Sequence, residues 1–275
     1  MISQRQFQKL VWNHYKQHGR HDMPWRRTRD PYRILISEVM LQQTQVSRVE
    51  KFYPTFVRMW PTFQSLAKAR TADVLRVWQG LGYNRRALAL QKLAQIIVKN
   101  YGGKLPANRE ALELLPGIGR GTSGSLMTFA FNEPVVFIET NIRRVFIHHF
   151  TTHIRTNVSD DVIVPFVLKL VDQKRPREWY WALMDYGAML GEKSRGRAVA
   201  NPNLRSRHYV RQPKFVGSDR ELRGKLLKLL LREKKISFRS LAKRFAEPTV
   251  RINRISGDLV REGFLVRRGG FLWSL

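Results

Sequence analysis

The chain has 275 residues, with 50 Lys and Arg against 21 Asp and Glu, no cysteine, and a formal net charge of +29. A 43% hydrophobic fraction with 11% aromatics can bury a substantial core, which excludes a disordered polycation, and so large a positive excess points to a polyanionic partner, nucleic acid ahead of an acidic membrane surface. Zero cysteines exclude disulfides, thiolate metal sites and a cysteine nucleophile together, and fit a reducing compartment.

The first 193 residues read as helix after helix. Phe7, Leu10, Val11 and Tyr15 recur at helical spacing, and Pro31 can open a second helix through Leu41. Further helical patterns cover 46–58, 71–79, 84–101, 108–115, 120–131, 139–150, 159–173 and 176–190. Gly80-Leu81-Gly82, Gly102-Gly103 and Pro116-Gly117-Ile118-Gly119 separate them. The polar start Met1–Lys9 lacks a signal-type apolar run, and no uncharged stretch reaches the ~20 residues that span a bilayer, so a soluble protein is expected.

Residues 194–218 break the pattern. Arg195, Arg197, Arg205, Arg207, Arg211 and Lys214 occur there with no acid, which reads as a basic linker or phosphate-tracking loop. In 219–275, Leu222, Leu226, Leu229 and Leu230 mark one amphipathic helix, 238–245 a second, and Pro248 opens a third. Phe264-Leu265-Val266, a turn at Arg267-Arg268-Gly269-Gly270, and Phe271-Leu272-Trp273 read as a β-hairpin. Three helices and a terminal hairpin describe a winged helix-turn-helix domain, with Arg251, Asn253 and Arg254 directed at DNA and Arg267 and Arg268 at the wing tip. A protein–protein module is the other use of such a fold. From residue 194 onward there are 21 basic and 6 acidic residues, so more than half of the net charge lies on the last 82 residues.

The chemistry concentrates in three segments. Leu115-Pro116-Gly117-Ile118-Gly119-Arg120 joins two helices; its glycines permit a tight hairpin, and the backbone N–H groups at the next helix start, with Arg120, suit a DNA phosphate. An ordinary αα-corner would use the same residues. Ile36–Gln45 places Glu38 on an otherwise apolar helix, where burial should raise its pKa toward that of a general acid working near neutral pH; a Glu simply hydrogen-bonded in a helix interface is the plainer reading. Phe137–Val145 places Glu139 at a helix start, favoured there by the helix dipole alone.

Together with Met23-Pro24-Trp25, Pro31-Tyr32, Trp78–Tyr83 and Met184–Met189, these segments resemble the helix-hairpin-helix (HhH-GPD) DNA glycosylases of the endonuclease III superfamily, most strongly the MutY-like adenine glycosylase branch, over roughly residues 5–193. The resemblance implies an all-α helix-hairpin-helix glycosylase fold over 1–193, two helical lobes with the active site between them; the 194–218 linker and the 219–275 winged-helix domain read from the residues follow it. It implies a base flipped out of duplex DNA that carries a damaged, modified or mispaired base. Glu38 would protonate the departing purine, and Glu139, in place of the family's usual Asp, would stay ionised and stabilise the oxocarbenium-like sugar beside Asn141. Gln42, Gln43, Tyr83 and Asn84 would touch the base stack and the opposite strand, and Gly117, Gly119, Arg120, Gly121 and Arg143 the DNA near the site.

Gly121 stands where bifunctional relatives carry a Schiff-base lysine, so no lyase step is expected. The family's cluster-binding cysteines would fall on Gly191, Ala198, Asn201 and Arg207, so no iron–sulfur cluster is expected; a monovalent cation at the 115–119 hairpin is compatible with the resemblance. The winged-helix pattern stands where the family's usual C-terminal 8-oxoguanine reader would follow, so no such reader is expected. A monofunctional glycosylase for adenine or an N6-substituted adenine follows as the expectation, monomeric and cytoplasmic, nucleoid-associated in a prokaryote, without a membrane. Its rivals are a non-catalytic structure-specific DNA-binding protein and a mismatch thymine or uracil glycosylase.

Overall fold

The computed structural model describes residues 2–195 and 200–274; Arg197, Ala198 and the side chain of Arg195 lie outside the described residues. In chain order the helices are α1 Gln4–His18, α2 Pro31–Leu41, α3 Val46–Met59, α4 Phe63–Ala67, α5 Thr71–Trp78, α6 Arg85–Asn100, α7 Arg109–Glu113 and α8 Arg120–Phe131. They continue with α9 Thr140–Phe150, α10 Asp160–Leu170, α11 Pro176–Arg195, α12 Asp219–Glu233, α13 Phe238–Phe245 and α14 Thr249–Arg261. Three short strands, β1 Lys235–Ser237, β2 Leu265–Arg268 and β3 Phe271–Ser274, lie within the C-terminal segment. No described helix is long and apolar enough to cross a membrane.

Local sequence explains most boundaries. Ser3 caps α1 in a capping box with Gln6, and Asn108 caps α7 by accepting the Ala111 N–H. The pattern reading passed over α4, although Thr62 and Ser65 form a capping box at its start. Five residues hold too little periodicity to stand out. The α7 helix is shorter than the 108–115 pattern because the chain must turn at Pro116 and Gly117, whose φ is +82°.

The chain divides into two compact units. The first comprises Met1–Val39 and Leu105–Arg211. Here α11 packs against α1 and α9, and α7 against α8. Phe7 of α1 centres an aromatic core, 4.9 Å from Phe150 and 5.6 Å from Phe146 between ring centroids, and is fully buried. Aromatic pairs of this kind add about 0.5–1.5 kcal/mol beyond the area they bury. Arg205 corrects the reading of the basic linker. Its guanidinium donates to the carbonyls of Ile147, Thr151 and Ile154 at 2.7–3.0 Å, and so satisfies the C-terminal end of α9 instead of reaching for phosphate.

The second unit comprises Met40–Lys104 and Gln212–Leu275. Leu222, Leu226, Leu229 and Leu230 of α12 are buried, and α12 packs on α5, where Arg76 donates to the Leu231 carbonyl at 3.4 Å. Glu262, after α14, binds Arg85 of α6 and Arg223 of α12. The three expected C-terminal helices and the hairpin are present, with β1 added. The sheet order is β1-β3-β2, all antiparallel, with Ile236 opposite Leu272 and Val266 opposite Trp273. The four-residue turn expected at Arg267–Gly270 is instead a two-residue Gly269-Gly270 turn. Gly269 takes φ +57°, which leaves Arg267 and Arg268 in strand β2, both exposed, with the Arg267 guanidinium 4.7 Å from the Phe238 ring.

Candidate active site

Glu38, Glu139 and Asn141 come together within the first unit. Glu38 lies on the third turn of α2, partly exposed, between buried Ser37 and Val39. Burial is the largest influence on its carboxyl; the nearby charge of Glu139 adds to it, while a hydrogen bond with Ser125 and the charge of Arg26 oppose it. The result is a carboxyl that titrates at about 7. The Ser125 hydroxyl also lies 3.0 Å from the Thr122 carbonyl. It can donate there and accept from a protonated Glu38, or swing its proton to an ionised one, so it accommodates both states of the acid.

Glu139 is the N-cap of α9. Its Oε1 accepts from the Asn141 N–H at 2.7 Å and the Ile142 N–H at 2.8 Å, and Oε2 from the Asn141 amide at 3.3 Å. These bonds, with Arg144 and Arg143, favour the carboxylate, but burial outweighs them and pushes its pKa above the usual carboxylate range. That qualifies the expectation of a simply ionised acid: the helix start is there, and desolvation works against it.

Asn141 is held from both sides. Arg144 donates to Asn141 Oδ1 at 2.7 Å and to the Gly187 carbonyl at 2.7 Å, which turns the Asn141 amide nitrogen toward Glu139. A Cβ on Gly187 would stand 2.3 Å from the Asn141 carbonyl oxygen, so only glycine lets α11 approach α9 here. Arg26, placed by the Met23-Pro24-Trp25 turn, is buried and pairs bidentately with Asp185 at 2.7 and 2.9 Å. Burial pushes the Asp185 carboxyl up, but Arg26 and Arg20 outweigh it and hold it below its ordinary value. Ser125 and Arg26 were not singled out from the sequence; the Arg directly after Met-Pro-Trp was the one available signal.

The cluster positions do not fit an iron–sulfur group. Arg144 lies against Gly191, 2.7 Å from where a Cβ would stand, and its Nε donates to Asn201 Oδ1 at 3.3 Å. The Arg207 backbone bonds Val158, and no thiolate exists in the chain. Among the described residues no set of three His, Asp or Glu is arranged for a metal. A cation at the 115–119 hairpin would rely on main-chain carbonyls, of which that of Leu115 already accepts the Ile118 N–H.

At that hairpin no side chain caps α8, and Gly117, Gly119, Arg120 and Gly121 are all exposed, an arrangement open to an anion. A Cβ at Gly121 would stand 4.0 Å from the Ile138 carbonyl, in ordinary contact. Arg143 does not reach outward: it forms a bidentate pair with Asp160 at 2.7 and 2.8 Å. Arg251 is likewise taken up, by Asp219 at the start of α12, by Glu247 just before its own helix and by the Gly217 carbonyl. Arg254 pairs with Asp219 at 2.6 Å but stays exposed.

Within the second unit, Gln43 and Tyr83 are exposed and share left-handed backbone, φ +53° and +46°. Arg86 ties their loops together, donating to the carbonyls of Met40, Gln42, Leu81 and Gly82 and to Thr44 Oγ1. Asn84 opens α6, where its carbonyl accepts the Ala87 N–H at 3.0 Å.

Residues 36–161 match the HhH-GPD superfamily of base excision DNA repair proteins. An adenine DNA glycosylase of Mycolicibacterium smegmatis is 36% identical over 226 residues, 78% of this chain and 76% of its own length. One of Buchnera aphidicola is 32% identical over 188 residues, 68% of this chain and 54% of its own length, so the chain spans about half of that relative. The solved structure of a thermostable thymine-DNA glycosylase is similar with a TM-score of 0.60 at 28% identity, covering 68% of this chain and 86% of that one. Sequence and fold agree, and the chain belongs to the HhH-GPD superfamily of base excision DNA repair proteins.

Proposed function

We propose that the chain is a monofunctional DNA glycosylase that hydrolyses the N-glycosidic bond of adenine, or a modified adenine such as an N6-substituted one, flipped out of duplex DNA. The observation that carries this reading is the pairing of two carboxyls in one unit, both pushed up by burial, with Glu139 also held by backbone N–H groups that favour its ionised form. Glu38 is buried enough to hold a proton near neutral pH, and Glu139 is clasped by two backbone N–H groups and an amide. Glu38 gives its proton to the purine, which then departs as a neutral base. Glu139 faces the positive charge that develops on the sugar, and Asn141, fixed by Arg144, orients the attacking water. The similarity to adenine DNA glycosylases supports adenine as the base class.

The absence of an amine at Gly121 supports hydrolysis without a covalent sugar intermediate. Residues 219–275 act as a winged helix on duplex DNA, with Asn253, Arg254, Arg267 and Arg268 on the exposed surface. The protein works as a monomer without an iron–sulfur cluster.

The test is base release from duplexes carrying A:8-oxoguanine, A:G, N6-methyladenine, hypoxanthine and G:T pairs, with wild type and Glu38→Gln. Release of an adenine-type base that falls about 100- to 10,000-fold in Glu38→Gln is the expected outcome. Similarity to a thymine-DNA glycosylase favours a second reading. Thymine needs no protonation at a purine nitrogen, so thymine release from G:T that survives Glu38→Gln would replace the adenine reading. Binding without release of any base would reduce the chain to a DNA-binding protein.

A further inference from the structure

Gln212 lies in the segment read from sequence only as basic linker. Its Nε2 donates to the Tyr83 hydroxyl at 2.8 Å and to Gln43 Oε1 at 3.3 Å, while its Oε1 accepts from Arg220 at 3.4 Å. Gln43, Tyr83 and Gln212 are all exposed. Hydrogen bonds between exposed side chains add little to stability, so this cluster is not explained as structural cement. Its backbone is also costly: two adjacent loops hold non-glycine residues at positive φ, and Arg86 ties both loops with hydrogen bonds that include the Gln42 and Tyr83 carbonyls. Strain held in place at an exposed tip fits a surface that takes a ligand.

The chemistry of the tip names the ligand. Two side-chain amides and a phenol offer donors, acceptors and one flat ring at the same point, a set that reads base edges and stacks on an unpaired base. Lys214 and the exposed Phe215 follow within three residues, and Arg220 donates to the Pro213 carbonyl and so holds the segment in place. We propose that Gln212 joins Gln43 and Tyr83 as a third DNA-reading side chain, which hydrogen-bonds the base left opposite the extruded nucleotide and makes opposite-base preference a property of this chain's C-terminal segment. This rests on the glycosylase reading above in that a flipped nucleotide is what leaves a base unpaired.

The test measures equilibrium binding of the full chain, wild type and Gln212→Ala, to duplexes with a stable abasic-site analogue opposite C, T, G, A or 8-oxoguanine. Wild type should prefer one opposite base by about tenfold. Gln212→Ala should bring all five within about twofold, with an unchanged melting temperature, because the residue is exposed. Three outcomes overturn the proposal: a wild type that binds all five alike, a variant that keeps the wild-type ratios, or one that weakens or tightens all five equally. Equal weakening makes Gln212 a brace for the tip, and equal tightening makes it a cover that DNA displaces. Because the readout is binding, it stands whether or not any base is released; base release on the lesion panel decides the glycosylase reading separately.

Discussion

Burial makes the ionised Glu38 carboxyl costly to the fold. Its carboxyl titrates at about 7 in the folded chain against 4.5 when exposed to water. The folded state therefore holds the proton more tightly, and the associated stability is fully present below about pH 4.5 and lost as the pH rises through about 7. A shift of that size corresponds to roughly 3 kcal/mol once the group is ionised. Glu38→Gln should thus raise stability at pH 8 by up to about that amount while leaving it unchanged at pH 4, a difference that thermal melts at the two pH values will reveal. The same titration sets a pH profile: wild-type base release should fall about tenfold per pH unit above 7, as the acid loses its proton. Gly121 makes a complementary case. The space beside it is open and its position faces the Ile138 carbonyl. Gly121→Lys should fold normally and allow borohydride to trap a covalent complex with DNA, which wild type should not form.

At the scale of elements, α9 carries the site. Its N-terminus holds Glu139 and Asn141, its second turn supplies Arg144, and its C-terminal carbonyls are satisfied by Arg205 from 54 or more residues downstream. Arg205→Ala would leave those carbonyls short of donors and should cost about 1–3 kcal/mol, read as a lower denaturation midpoint. The Arg144 network tests differently. Arg144→Lys keeps the charge that favours the Glu139 carboxylate but cannot reach Asn141, Gly187 and Asn201 at once. It should lower kcat by about 10- to 100-fold with little change in KM, because it disturbs the orientation of Asn141 and not the contact with DNA. An equal fall from a loss of folded protein would show in the melting temperature and would remove Arg144 from the positioning role.

For the whole molecule, the net charge of +29 governs association. Each phosphate neutralised releases counterions, so affinity for duplex DNA should fall steeply and linearly in log salt. Arg267 and Arg268 are exposed on β2. Replacing both by alanine should weaken binding to all sequences alike and flatten the salt slope by about 1–2 units; an unchanged slope would take the hairpin away from DNA. Not all of the charge is available for this. Arg26, Arg143, Arg205 and Arg251 are committed to internal partners, so a count of cations overstates the surface that meets phosphate.

Several features were legible without coordinates because they are local. The helical periodicity, the Pro116–Gly119 hairpin and the limits of α2 and α8 depend on residues within a turn or two of one another. The raised pKa of Glu38 was foreshadowed locally, since Ile34, Leu35 and Val39 of its own helix are buried and mark an inward-packing stretch, although the packing itself comes from other segments. The partners of the arginines were not. Nothing near Arg143 in sequence announces Asp160, nor near Arg205 the end of α9. Nothing near Gln212 announces Tyr83, 129 residues away. A long flexible cation reads the same on paper whether it meets phosphate or a carbonyl. The sequence by itself therefore determined the family, the helices and the two candidate acids. Only the tertiary structure decided which cations are spent inside, how Asn141 is aimed, and that a linker glutamine meets the strained tip, because those outcomes depend on distances between segments that chain order does not encode.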